Sequence, residues 1–176
     1  RMNTQVENVL RMSLLEKHDM EFNIREHDLH ALLLKAVDKA GLLLRERDGM
    51  VSMDLKAMHH KVFVDADHFT NAVLNLLDNA IKYSTGKPVI AVSTADTDRG
   101  VLIRISDQGM GMSRDVQQRI FDKFYRKESG NIHNIKGFGL GLSYVKAVVE
   151  AFGGTIRVQS EPRKGSTFEI IIPNAQ

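Results

Sequence analysis

Between Arg1 and about Lys17, Met2, Val6, Val9 and Leu10 are spaced i, i+4, i+7 and i+8 with polar residues between them. That stripe predicts a helix with one apolar face. We read it as a coiled-coil or bundle helix cut from its mate, in preference to a helix packed on this chain's own core. Glu21 to Arg25 alternates, with Phe22 and Ile24 apolar, and predicts a strand. Asp28 can cap a helix from about Leu29 to Arg47, which Asp48-Gly49 stops. Val51 to Leu55 alternates and Val62 to Val64 is a short apolar run, so both predict strands. Asp65 and Asp67 introduce a second long helix, broken by Gly86-Lys-Pro88.

In the second half, Val89 to Thr94 and Val101 to Ser106 predict a hairpin across the polar turn Asp96 to Gly100. Ser113 caps a short helix from Arg114 to about Phe124. From Arg126 to Lys136 no period is visible and the residues are polar, basic or small, the pattern of a mobile loop. A helix follows Gly137-Phe-Gly139-Leu140-Gly141 and ends at Gly153-Gly154. Thr155 to Ser160 and Ser166 to Ile172 predict a last hairpin across Glu161 to Gly165. No repeats or low-complexity stretches interrupt this order.

Composition narrows the class. The 176 residues are 43% hydrophobic and 26% charged, ordinary for a globular domain with its own core. A net charge of +2 gives little support to a bulk nucleic-acid role. Without cysteine there are no disulfides or thiolate metal sites, which fits a reducing compartment. No apolar run reaches bilayer length and no signal peptide is visible. The chain opens in mid-helix without an initiator Met, so we expect it to be part of something longer, with room for a membrane anchor elsewhere.

The chemistry concentrates in three segments. Asn75 and Asn79 stand four apart and Lys82 three further on, so one helix face carries two carboxamides and an ammonium. The opposite face, Val73, Leu76, Leu77 and Ala80, needs a core. Amide oxygens are hard ligands that suit magnesium, and through it an anion. Asp107 ends an apolar strand and precedes Gly109 and Gly111. It is either a plain turn aspartate or a carboxylate on a pocket floor, placed to accept the exocyclic amine of adenine. Gly137, Gly139 and Gly141 precede a helix whose free N–H groups suit phosphate; a bare loop-to-helix junction has the same pattern. It is neither a P-loop, lacking the Gly-Lys-Ser/Thr ending, nor a Rossmann fingerprint, lacking a preceding strand. Between these glycine segments, Phe121 and Phe124 are set to pack under the loop, and plain core packing explains them equally well. Arg126, Lys127 and Lys136 are either solvated charges or counter-charges to a triphosphate.

Taken in order, these segments resemble the catalytic ATP-binding domain of sensor histidine kinases, in the GHKL superfamily. Asn75-Leu-Leu-Asp-Asn79-Ala-Ile-Lys82-Tyr83-Ser is similar to the N box and Asp107-Gln-Gly109-Met-Gly111 to the G1 box. Phe121 to Arg126 is similar to the F box, and Gly137-Phe-Gly139-Leu140-Gly141-Leu142 to the G2 box. Gly165-Ser-Thr167-Phe168 matches the last motif, whose Thr sits near adenine. The resemblance covers roughly Glu21 to Pro173. It implies an α/β (α+β) two-layer sandwich, a mixed, mostly antiparallel sheet covered on one face by helices, with ATP held between helices under a flexible lid. It divides the chain into residues 1–18, the end of a dimerisation helix and linker, and 19–176, the catalytic domain.

By matching position, the resemblance implies magnesium on Asn79 with Asn75 assisting, and Asn75 and Lys82 as the catalytic candidates. Lys82 and Tyr83 would contact phosphates or ribose. Asp107 would read adenine in a pocket shaped by Gly109 and Gly111, with Thr167 nearby. Gly139 and Gly141 would hold the β- and γ-phosphates, and Phe124, Arg126, Lys136, Gly137, Leu140 and Leu142 complete the expected nucleotide set. The implied partners are ATP, the dimerisation/phosphotransfer domain of the same homodimeric protein, and a response regulator receiver domain. Nucleic acid is not among them. The implied setting is a cytoplasmic domain of a membrane-bound sensor.

One departure matters. The family's acceptor His is followed by an acidic residue, with Pro shortly after, and no such motif is present. His27-Asp28 lacks the Pro and suits a strand-to-helix entry, so the acceptor is expected upstream of Arg1, with the seven histidines structural or superficial. Gyrase- and MutL-type hydrolases of the superfamily carry a Glu four residues before the magnesium Asn, where this chain has Asn75. An amide is no general base, so transfer to an imidazole is favoured over hydrolysis. A GHKL-fold ATPase, an anti-sigma-type serine kinase and a non-catalytic nucleotide-binding module are the alternatives.

Overall fold

The computed structural model describes residues 21–125 and 139–175. The expected N-terminal helix, the boundary at residue 18, the loop to Lys136, and with them Arg126, Lys136 and Gly137, lie outside the described residues. In chain order the elements are β1 (Arg25–Asp28), α1 (Leu29–Glu46), β2 (Met50–Leu55), β3 (Lys61–Val64), α2 (Ala66–Lys82), β4 (Val89–Thr97), β5 (Gly100–Asp107), α3 (Arg114–Arg119), α4 (Gly141–Ala151), β6 (Thr155–Glu161) and β7 (Gly165–Ile172).

Five strands form one sheet in the order β2-β4-β5-β7-β6; β2 and β4 run parallel and the other pairs antiparallel. Alternation decides its two faces. Ile90 and Val92 of β4, Val101, Ile103 and Ile105 of β5, and Phe168, Ile170 and Ile172 of β7 are buried on one side. There they join α1 through Leu33 and Ala36, α2 through Val73, Leu76 and Leu77, and α4 through Val145, Val148 and Val149. Fully burying a leucine-sized side chain stabilises the fold by about 1.5–3 kcal/mol, so the α2 stripe alone is a strong determinant of this layer. The architecture is the expected two-layer sandwich.

The ends of the elements differ from expectation for local reasons. The first strand begins at Arg25 because pairing with β3 sets its register, Arg25 opposite Val64 through Asp28 opposite Lys61. Phe22 instead leaves the strand path and packs edge-on against His68 at 5.0 Å and Phe152 at 5.5 Å. The Asp65 carboxylate both caps α2, accepting from the N–H groups of Asp67 and His68 at 3.0 Å, and accepts the Asn23 N–H at 2.9 Å. β1 and β3 form a separate two-stranded sheet. α2 stops at Lys82, ahead of Gly86, with the Ser84 hydroxyl donating to the Ala80 carbonyl at 2.8 Å. α3 is shorter than expected, and Ser113 sits at its N-cap position without a side-chain capping bond.

The far face of the sheet carries an ion triad. The Glu169 side chain is only 6% exposed and accepts from Arg104 Nε at 2.7 Å and from Arg157 Nε. The Arg104 hydrogen bond, opposed by burial and reinforced by Arg157, holds the Glu169 carboxyl below its ordinary 4.5. A depressed carboxyl stabilises the fold above its unfolded pKa and loses that contribution as pH falls through the folded value. Both arginines are half-exposed, which weakens the pairing. Glu169→Gln is expected to cost about 1–2 kcal/mol near neutral pH. Paired thermal melts should show the difference vanish on acidification below the carboxylate range; a difference independent of pH would refute the ionic origin.

Candidate functional site

The carboxamide stripe lies on α2, whose other face is committed to the core. Asn75 Nδ2 donates to the Asn71 carbonyl at 2.9 Å, which orients its Oδ1 away from its own helix. That oxygen faces the start of α4: a methyl group on Gly141 would stand 3.0 Å from it. The N-cap residue Leu140 makes no side-chain capping bond to α4, and a helix start is where backbone N–H groups suit an anion. Gly139, two residues earlier, holds φ +72°, a left-handed conformation that glycine adopts without strain. Leu140 is 4% exposed and Leu142 packs on the core, so their side chains anchor the glycines.

Lys82 ends the stripe, but its ammonium is 3.0 Å from Asp78, one turn earlier on the same helix. Tyr83 is the C-cap residue and is 42% exposed. Its carbonyl accepts the Met110 N–H at 3.0 Å and lies so near Gly109 that an added methyl would be 2.7 Å away. This contact brings the Asp107-Gln-Gly loop to the end of α2. On its other side the loop meets the β6–β7 hairpin: the Arg163 N–H donates to Met110 O at 2.7 Å. Gly111, at φ +64°, presses on the Glu161 carbonyl, where a methyl would sit 1.9 Å from the oxygen.

Asp107 is held inside this clamp. Its Oδ1 accepts the Gly109 N–H at 2.8 Å, and the backbone N–H of Ser166, its partner on β7, also lowers the cost of its charge. Burial pushes its pKa above the ordinary 3.8, and the two N–H groups pull the other way. The site therefore has two ends along one helix. Asn75 and Gly141 form one, and Tyr83 and Asp107 the other, about 12 Å apart at 1.5 Å per residue.

Thr167 requires a correction. β5 and β7 pair Ser106 with Thr167 and Asp107 with Ser166, and directly paired residues share a face. Thr167 bonds Ser106 hydroxyl-to-hydroxyl at 2.9 Å on the side away from Asp107. Ser166, 9% exposed, takes the place expected of Thr167, and its hydroxyl bonds Ser160 Oγ at 2.8 Å. The expectation that both F-box aromatics pack is half right. Phe121 meets Phe168 edge-on at 6.3 Å, while Phe124 is 68% exposed at φ +59° and donates its N–H to the Gly139 carbonyl at 3.1 Å.

Sequence reasoning also missed Gln117. From α3 its Nε2 donates to the carbonyls of Met112 at 3.0 Å and Ser160 at 2.9 Å, while its Oε1 accepts the Ser160 N–H at 3.2 Å. It stitches the Asp107 loop to β6. Only its position between the two glycine segments hinted at this; Ser166 was legible as the strand partner two positions before Phe168.

Comparison with known proteins agrees with this geometry. Residues 64–176 match the family model described as "Histidine kinase-, DNA gyrase B-, and HSP90-like ATPase". The sensor protein RprX of Bacteroides fragilis is 37% identical over 175 residues, 98% of this chain but 34% of its own length. The chain thus spans about a third of that relative. Among solved structures, the mycobacterial sensor histidine kinase MprB is 27% identical with TM-score 0.71, covering 86% of this chain and 97% of that one. ShkA, solved full-length in complex with AMPPNP, shares the fold with TM-score 0.85 at 23% identity, covering 98% of this chain and 36% of its own. No helix among the described residues is long and apolar enough to cross a membrane. With the sandwich, the clamped Asp107 and the α2–α4 junction in place, the chain belongs to the histidine kinase-, DNA gyrase B- and HSP90-like ATPase family.

Proposed function

We propose that this domain binds Mg-ATP along α2 and delivers the γ-phosphoryl to a histidine on a dimerisation/phosphotransfer domain, for relay to a response regulator aspartate. The observation that carries the reading is the meeting of Asn75 with Gly141, which sets a hard oxygen donor beside a helix start. Adenine belongs at the Asp107 end and the phosphates at the Gly141 end. AMPPNP on ShkA, a protein of the same fold, supports a nucleotide there.

The donor set fits magnesium. Asn75 and Asn79 offer neutral amide oxygens, and the Asn75 amide is already turned with its oxygen toward α4. The ion, when bound, offsets charge on the β- and γ-phosphoryl oxygens. This chain's own part is positioning: Asp107 accepts from the base, the first turn of α4 donates to phosphate, and Asn75 withholds the general base that hydrolysis requires. Lys82 reaches phosphate only by leaving Asp78. Residues 1–18 are proposed as the end of the dimerisation helix, with the acceptor histidine upstream of it in a membrane-bound parent.

Calorimetry with ATP and Mg2+ should show saturable binding that loses its magnesium dependence in Asn79→Ala. Incubation with γ-labelled ATP should leave this chain unlabelled, while a longer chain carrying the acceptor histidine becomes labelled. Label on one of this chain's histidines would move the acceptor. Steady release of free phosphate dependent on Asn75 would point to a hydrolase.

A further inference from the structure

At the start of α1, Asp28, His30 and His60 converge from a strand end, a helix and the β2–β3 loop, with a ligand-capable atom of each within 4.8 Å of the others. The cluster is remote from the nucleotide site. His30 Nε2 bonds Thr94 Oγ1 at 2.8 Å, and Thr94 lies four residues along β4 from Ile90, the partner of Asp107. That is about 13 Å along the strand. Neither the family resemblance nor the site described above uses these residues.

We propose that Asp28, His30 and His60 form a binding site for a divalent transition ion of the zinc, cobalt or nickel kind. The Asp28 carboxylate is fixed before any ion arrives, because its Oδ1 accepts the His30 N–H at 2.9 Å and the Ala31 N–H at 3.3 Å as the cap of α1. His60 Nδ1 lies 2.9 Å from the same oxygen, shorter than the roughly 3.3 Å between two ligands on one tetrahedral ion, so the ring moves outward slightly to admit one. A carboxylate only accepts, so Nδ1 carries the proton in that bond. An ion takes the proton's place, the proton moves to Nε2, and the ring becomes a neutral ligand without net proton release.

His30 supplies the third ligand by turning. Its ring is stacked on His60 at 4.2 Å with a 10° tilt, so the in-plane lone pairs of the two rings run parallel and cannot meet one ion as they stand. Rotation of the His30 ring breaks its bond to Thr94. The buried Thr94 oxygen keeps the Ala57 N–H as a donor at 3.2 Å. All three ligand residues are partly exposed, so water completes the coordination shell. The neighbouring charges divide: Lys61 Nζ, 3.9 Å from Asp28 Oδ2, opposes a cation, and Asp96, held by the N–H groups of Met58 and His59, favours one. Two imidazoles with one carboxylate select against magnesium, so the ion at the nucleotide site does not compete.

The test uses the tag-free 176-residue chain with ZnCl2 in calorimetry and CoCl2 in visible absorption. One ion per chain is expected, with cobalt bands of low coordination number and a melting temperature that rises with free zinc. His30→Gln and His60→Gln, each checked by circular dichroism with chelator present, should each lose the cobalt bands and the zinc-dependent rise. His59→Gln should keep both, because that ring is exposed and pairs with Asp96 at 3.4 Å instead. Absence of saturable binding, or binding that survives both the His30 and His60 substitutions, overturns the proposal. So does binding lost in His59→Gln but retained in His60→Gln. Nucleotide affinity is measured alongside and is expected to stay unchanged, so failure here leaves the kinase reading standing and the converse also holds.

Discussion

Asp107→Asn is expected to weaken ATP binding on the order of 100-fold, about 3 kcal/mol, while leaving the fold intact. The reason lies in donors and acceptors. In the native chain the carboxylate accepts the Gly109 N–H, lies beside that of Ser166, and retains acceptor capacity for the adenine amine. An amide in its place turns its oxygen to the two N–H groups and presents –NH2 to the base, donor against donor. Stability moves in the other direction. Because burial raises the folded pKa of Asp107, the native state holds its proton to higher pH than the unfolded chain, and the charged form is a liability as pH rises through that window. Removing the charge should leave the melting temperature near neutral pH unchanged or higher.

The same shift gives a pH dependence. Affinity of the native chain for ATP should decline on acidification sooner than an ordinary aspartate at 3.8 would cause, because the protonated carboxyl no longer accepts freely. The weak residual binding of Asp107→Asn should lack that component. Calorimetry across pH and a thermal melt of each protein decide the matter. An Asn variant that binds ATP within about threefold of native would remove Asp107 from base recognition.

Gly165→Ala should be the most damaging single methyl in the described structure. Gly165 opens β7 at φ +102°, and an added Cβ would stand 1.9 Å from the Asp107 carbonyl oxygen and 2.9 Å from Gln108 Cα. Both obstacles are backbone, so neither can swing aside. Strain and overpacking together cost about 3 kcal/mol or more, a fall of roughly 6–12 °C in melting temperature for a chain of this size. Relief requires β7 to part from β5, which withdraws the Ser166 N–H from Asp107, so nucleotide affinity should fall with stability. Gly86→Ala is the control: nothing lies within 4 Å of its added carbon, and its melt should match the native one. A Gly165→Ala protein that also melts within about 2 °C of native would show that the close approach of the two backbones is not required.

Much of the site was legible from local spacing. The helical period placed Val73, Leu76, Leu77 and Ala80 in the core and Asn75 on the outer stripe, as found. Asp28 and Asp65 announced two helix starts, and both caps are present. Thr167 shows where that reasoning stopped. Its motif pointed to this strand, yet a one-residue step along a strand reverses the face, and Ser166 rather than Thr167 accompanies Asp107. The early start assigned to the first strand failed for a related reason: two apolar residues at alternate positions were satisfied by aromatic packing of Phe22 and by exposure of Ile24.

Sequence alone determined the order and kind of most elements, through neighbours three, four or two residues apart that periodicity reports directly, and its motifs, through their resemblance to a family, implied the layering. Tertiary structure decided which distant groups meet: Asn75 with Gly141, Asp107 with Ser166, Gln117 with Ser160, and Asp28 with His30 and His60. Those meetings depend on strand register and on how helices seat against the sheet. Both are set by packing the whole core at once, which no local pattern encodes.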